Sequence, residues 1–350
     1  MIFFIASLAI IGATHDDGYG PYAPKPMEFK IPAGWPKPTS NIFANNKLTE
    51  EGYRLGKKLF YDGRLSKDGE VSCASCHQQF AAFATFDHDL SHGVKNTFTT
   101  RNAPGIFNLA WRTELHWDGG INHIEVQPLS PITAPNEMGE TLDSIIFKIK
   151  KDSSYRRLFK AAFGDATINT QRMLKAIAQF TGSMISSNSK YDKVKRGETA
   201  FTAFEEKGYL VFKAKCASCH AEPLFTDNSY RNNGLALNRF NDIGRQRITQ
   251  LSKDSLKFRV PSLRNAQLTF PYMHDGRIYS IPQVIEHYRS GIVTDQPTLD
   301  TSLKNRIPLS NLEKNQLVYF IYTLTDSSFT KNPAYSPDNG NIVTPGFDKH

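Results

Sequence analysis

Cys73-Ala74-Ser75-Cys76-His77 and Cys216-Ala217-Ser218-Cys219-His220 are one pentapeptide used twice, and together they hold all four cysteines of the chain. In a Cys-x-x-Cys-His run the two thiols can add to the vinyl groups of one haem. The adjacent histidine then falls under the ring as the proximal iron ligand. A single copy could also be a redox pair or half of a zinc site. A Cys₄ zinc site pooled from both copies stays open, but it leaves two identically placed histidines without a role. Two covalently bound c-type haems are the expectation.

A helical pattern precedes each copy. Residues 49–60 carry Leu55/Leu59 and Gly56/Phe60 at spacing four, and residues 205–212 carry Gly208/Phe212 at the same spacing. Helix followed by haem motif thus occurs twice, the sign of a duplicated domain, although residues 62–72 are inserted ahead of Cys73. After His77 the chain is irregular to about Gly139, and so long a segment is tolerated when it wraps a cofactor. Regular helices then return. Leu142, Ile145, Ile146 and Ile149 form one apolar stripe, and Tyr155, Leu158, Phe159 and Ala162 form another. Thr170 is placed to cap a third helix with Met173, Ile177, Phe180 and Met184 as core. Ser310 and Glu313 form a capping box ahead of Leu317, Phe320, Ile321 and Leu324. The fold class is mainly α.

A chain of 350 residues suggests two domains, and 39% hydrophobic with 12% aromatic residues is ample for packed cores. The balance of 42 basic to 34 acidic residues gives +8, compatible with an acidic redox partner but more often just a soluble surface. No basic run interleaved with aromatics points to nucleic acid. Residues 1–13 are apolar but too short to span a bilayer. They resemble the core of an export signal, although its basic start is missing. Covalent haem attachment takes place outside the cytoplasm, so a periplasmic protein with no stable membrane insertion is expected. The organisation reads as an export signal and leader over residues 1–20 and an extended lead-in over 21–47. Haem domains follow over 48–195 and 196–326, divided at the polar, basic stretch 188–197. The tail, 327–350, reads as poorly ordered.

Further motifs are Arg101-Asn102-Ala103-Pro104, Trp117-Asp118-Gly119, Glu137-Met138-Gly139, Pro261-Ser262-Leu263-Arg264-Asn265 and Pro271-Tyr272-Met273-His274-Asp275-Gly276. With the two haem motifs, they make residues 48–324 resemble the bacterial di-haem cytochrome c peroxidases, a family that includes the MauG-type enzymes. The resemblance implies two cytochrome c-like domains, each with one haem, facing one another across an interface that carries one Ca²⁺. It implies that hydrogen peroxide is handled at the His77 haem, with Gln127 and Glu137 in the pocket. The carboxylate would move the proton between the peroxide oxygens, and the amide would orient the peroxide. Trp117 matches the family's electron relay between the irons. Asn102, with the backbone carbonyls of Thr269 and Pro271, matches its Ca²⁺ site. His92 stands where many members keep a distal ligand on the first iron, with His88 a nearby competitor. His274 is expected to support the second haem pocket, and His123 and His287 read as structural or exposed.

The distal ligand of the second haem is where the chain departs from the conventional peroxidases. They supply a Met 14 residues after the His of the Pro-Tyr-x-His-Asp-Gly motif, and here that position is Tyr288. Of the six methionines only Met273 follows the second haem motif, inside the Pro-Tyr-Met-His turn. A tyrosine here resembles the MauG-type enzymes, where Tyr binds the second iron, although Ile281, Ile285 and Tyr288 also share a helical face. The implied activity is reduction of hydrogen peroxide to water with electrons from a small donor protein, a cytochrome or a cupredoxin. One alternative is MauG-type oxidation of a residue on a protein substrate. Another is a non-catalytic di-haem electron carrier, which has no need of an acid–base pair.

Overall fold

A computed structural model describes residues 22–338, so the export-signal reading of residues 1–20 lies outside the described chain. Residues 22–47 form no helix, and the first helix begins when the Thr49 hydroxyl accepts the Gly52 amide. The first half holds α1 (Glu50–Tyr61), α2 (Cys73–Cys76), α3 (Leu129–Thr133), α4 (Leu142–Lys150), α5 (Ser153–Phe163) and α6 (Thr170–Gly182). The second holds α7 (Lys190–Lys195), α8 (Ala203–Lys215), α9 (Gln246–Thr249), α10 (Ile281–Glu286), α11 (Asn311–Tyr322) and α12 (Ser327–Thr330). Apart from single bridges, the sheet among the described residues is one short antiparallel pair, β1 (Tyr230–Arg231) and β2 (Phe258–Arg259). The chain is mainly helical. Among the described residues no helix is long and apolar enough to cross a membrane.

Each half is built on one crossing of two helices, and the two crossings are made alike. In the first, α1 meets α6, and in the second, α8 meets α11. A Cβ on Gly56 would lie 1.9 Å from the carbonyl oxygen of Ala176, and one on Gly208 would lie 2.0 Å from that of Gln316. Only a residue without a Cβ lets the two backbones come so close. One turn further along, Phe60 meets Phe180 with ring centres 5.2 Å apart, and Phe212 meets Phe320 at 5.0 Å. The first core adds Ile145, Ile149, Tyr155 and Phe159 from α4 and α5, the stripes expected from periodicity. The second gathers Tyr191, Phe225, Ile285 and Leu317.

Two details differ from the sequence reading, and one element was not anticipated by it. The cap of α6 is Asn169, whose side chain accepts the Arg172 amide, one residue before Thr170. The polar stretch 188–197, read as the domain boundary, holds a short helix that was not anticipated. It forms α7, because Tyr191 and Asp192 are buried and Asp192 takes both arms of the Arg264 guanidinium at 2.8 Å. The segment after Leu324 is ordered as far as it is described, and it returns to the first half. Phe329 is buried against Phe83, and the hydroxyls of Tyr53 and Tyr61 donate to the carbonyls of Ala334 and Tyr335, both at 2.7 Å. Lys57 closes the contact on Asp338 at 2.6 Å. Phe329 and Tyr335 are the cause: exposed in a free tail, they fill the first core instead.

Candidate functional site

The first haem motif folds as a single helical turn. Ser72 and Ser75 cap α2 reciprocally, and the turn carries Cys73 and Cys76 into His77. The second motif continues from the C-terminus of α8, where Cys216 closes the helix. In both, the histidine Nδ1 is turned to main-chain carbonyls. His77 meets Phe83 O at 2.8 Å, with the Pro104 carbonyl as a further acceptor. His220 meets Phe225 O at 3.2 Å and Pro261 O at 3.1 Å. Nδ1 therefore carries the proton, and the Nε2 lone pair faces away, the arrangement an iron-binding imidazole needs. Burial lowers both imidazoles from their ordinary value, which keeps them neutral ligands.

The two motifs do not pool their cysteines: among the described residues no group of three or more His, Cys, Asp or Glu side chains is gathered that could hold a metal ion. All four thiols are half-buried, and burial raises them above the ordinary cysteine value. Thiols set beside apolar walls suit thioether attachment. At His220 those walls enclose a cavity of about 280 Å³, lined by Phe212, Leu263, Ile285, Leu317 and Ile321 together with Tyr288. The residues present fit a haem.

Trp117 and Asn102 stand on the near wall of the same cavity, as do Thr269 and Pro271. The Trp117 indole N–H donates to Asn102 O at 2.8 Å. Asn102 is buried and gives its amide to Asp89 O at 3.1 Å, which leaves its side-chain oxygen free of that bond. Pro104 lines the His220 cavity while its carbonyl faces His77, so residues 102–104 form the partition between the two motifs. Arg101, at the start of this partition, bridges Asp118 at 2.6 Å and Asp242 at 2.6 Å.

Glu137 lies beside the first motif, near enough for its charge to act on the Cys76 thiol, and burial raises its own carboxyl above the ordinary glutamate value. Its backbone carbonyl accepts from Val94 N at 2.7 Å, which ties the Glu137 turn to the segment carrying His92. Gln127 is half-buried, and its amide nitrogen is 3.5 Å from His116 Nε2. His116 in turn is close enough to act on His77, so Gln127 and Glu137 both belong to the first motif's surroundings. His116 itself was not singled out from the sequence, where one histidine before a tryptophan carries no pattern. Its φ of +66° is the only local mark it bears.

Tyr288 sits in a π-helical turn, His287–Gly291, that continues α10. It faces the cavity close to Cys216 and Cys219, and burial pushes its hydroxyl up to about 12 although Asn233 bonds to it. Such widened turns are frequent where a helix must aim a functional side chain. His92 is exposed, its ring against Phe98 at 4.6 Å and His88 at 5.2 Å, and its carbonyl is 3.9 Å from Cys76 Sγ. His274 stacks on Phe258 at 3.7 Å and lines the second cavity. His287 is buried on Asn233 O at 3.0 Å, and His123 is exposed.

Comparison with known proteins agrees with this geometry. Residues 50–200 match the family model described as di-haem cytochrome c peroxidase. The chain is 35% identical to the methylamine utilization protein MauG of Methylorubrum extorquens over 318 residues, covering 89% of this chain and 87% of that one. It is 33% identical to the cytochrome c551 peroxidase of Nitrosomonas europaea, covering 81% and 83%. Among solved structures, a MauG-like protein associated with microbial copper homeostasis superposes with a TM-score of 0.80 at 32% identity, over 89% of this chain and 99% of that one. The diheme peroxidase BthA of Burkholderia thailandensis shares the fold, with a TM-score of 0.72 at 22% identity. With two haem motifs, a matching fold and relatives of this identity along most of its length, the chain belongs to the di-haem cytochrome c peroxidase family.

Proposed function

We propose that this chain is a periplasmic peroxidase that reduces hydrogen peroxide to water at the His77 site, drawing electrons from a small cytochrome or cupredoxin. The observation that carries the reading is Glu137, a half-buried carboxyl with a raised proton affinity set beside Cys76. His77 and His220 would each hold a haem iron, and the haems would supply the one-electron chemistry that peroxide reduction needs. Glu137 takes the proton from one peroxide oxygen and returns it to the oxygen that leaves as water. The Gln127 amide orients the peroxide. Trp117, in the partition, carries electrons between the two sites. Asn102 Oδ1 with the carbonyls of Thr269 and Pro271 would offer a carboxylate-free oxygen set for one Ca²⁺ at this partition. His92, exposed beside Phe98 on the segment that touches Cys76, would serve as the residue that closes the first site in the resting protein. The haem domains span residues 48–195 and 196–326.

Glu137→Gln tests the reading. With both haems attached, peroxide turnover is expected to fall by about 10²–10⁴-fold. In the parent protein, turnover should decline on the acid side as Glu137 gains its proton, above the ordinary glutamate range, and E137Q should lack that limb. Undiminished turnover in fully loaded E137Q removes Glu137 from the mechanism.

A second reading is favoured by Tyr288 in the second cavity and by the likeness to MauG: oxidation of a residue on a protein substrate. Peroxide consumption that needs a cytochrome or cupredoxin donor supports the first reading. Peroxide-driven modification of a partner protein without such a donor supports the second.

A further inference from the structure

Four arginines line the cavity that holds His220: Arg112, Arg231, Arg259 and Arg264. Two have their charge met by the protein. Arg231 pairs with Asp227 at 2.7 Å and Asp300 at 2.8 Å, and Arg264 pairs with Asp192 at 2.8 Å. The other two do not. Among the described residues the Arg112 guanidinium makes no hydrogen bond and no ion pair. Arg259, buried to 2% exposure, gives its Nε–H to His116 O at 3.4 Å, while its Nη1 is buried without a partner. Burial works against the charge of both, and the Arg259 charge adds to the strain on Arg112.

A guanidinium does not give up its proton at physiological pH, so these two cations cannot escape by neutralising. A buried charge persists only when an opposite charge or a full set of hydrogen bonds meets it. The residues that line this cavity offer Arg112 and Arg259 neither, so the anion comes from what the cavity binds. Position narrows the choice. Arg231, already paired, acts on Cys219 and so stands by the thioether edge. Arg259 pairs with Tyr230 across β1 and β2, so its side chain leaves the opposite face of the strand pair from Arg231; its backbone N–H meets Trp117 O at 2.8 Å and its charge acts on His116. A haem held through its vinyl groups by Cys216 and Cys219 presents two carboxylates on the opposite edge.

We propose that Arg112 and Arg259 form a carboxylate clamp for the propionates of the haem attached at Cys216 and Cys219. The clamp completes both cations, orients the macrocycle about His220, and places the propionate edge toward Trp117 and the first site. A positive charge beside the ring also favours the reduced iron, so the pair raises the potential of the second haem. The inference rests on haem attachment at the second motif and is independent of what the first site does with peroxide.

The test uses the haem-loaded protein with both attachments verified by mass. Arg259→Gln and Arg112→Gln should each lower the midpoint potential of the second haem, and the double variant should lower it further. Arg→Lys at either position should restore most of the shift. In the unaltered protein, the propionate bending band in the resonance Raman spectrum should move on transfer to D₂O, because guanidinium N–H groups hold the carboxylates. Should a variant fail to retain haem, this measurement decides alone. Unchanged potentials in loaded variants, or propionate bands indifferent to D₂O in the parent, overturn the clamp.

Discussion

His77 and His220 are held by main-chain oxygens rather than by side chains. The acceptor residues are Phe83 and Phe225, both fully buried and both in the left-handed region, at φ of 57° and 56°. The strained backbone turns each carbonyl back toward its histidine while the phenyl ring anchors the loop in the core. The cysteines and histidines of this arrangement are legible in the sequence because their chemistry needs those side chains at that spacing. Their acceptors are not, since a carbonyl has no side-chain identity to spell. Arg112 and Arg259 were missed for a related reason, because an unpaired cation differs from a paired one only in its surroundings. Tyr288 was legible by counting from His274, and its place in the cavity makes it accessible to experiment. If it binds the second iron, Tyr288→Phe should shift that haem's absorption spectrum and lower the preference for Fe(III), read as a raised midpoint potential. An unaltered six-coordinate spectrum in the variant counts against ligation.

At the scale of elements, the paired crossings of α1 with α6 and α8 with α11 account for the two glycines. A methyl group at Gly56 or Gly208 would press on a backbone carbonyl, which cannot rotate aside as a side chain does. Gly56→Ala and Gly208→Ala should therefore each cost about 1–3 kcal/mol, seen as a lower midpoint in denaturant. The gain in helix propensity offsets less than about 1 kcal/mol of this. An unchanged midpoint would show that the helices separate freely. These helices were visible in the sequence from spacing and caps, and the Ser310–Glu313 capping box forms as read. The helix within 188–197 was not legible because α7 is short and polar. Its helix is held by Tyr191 in the second core and by the Asp192–Arg264 pair, partners far away in sequence.

At the scale of the whole molecule, the halves are joined at Arg101, which holds Asp118 from its own half and Asp242 from the other. Arg101→Gln leaves two buried carboxylates facing each other and should destabilise the protein by about 3–5 kcal/mol, measured by calorimetry. Burial alone would raise the Asp242 carboxyl, but Arg101 holds it below its ordinary value. A lowered value means that the stabilisation is fully present above about pH 4 and fades as pH falls through the folded-state value. Acid should accordingly loosen this junction, and R101Q should lose that part of the pH dependence. The second link is the segment around Phe329 and Tyr335. Ending the chain after Asp326 should lower the melting temperature of the first half, with the His77 haem absorption changing before that of His220. This last link also sets an order of events. A polypeptide is made from its amino end, so the core around Phe83 stays unfinished until Phe329 and Tyr335 have emerged. Cys73 and Ala74 pack on that same core, so the first haem motif gains its finished surroundings only when this late-made segment docks.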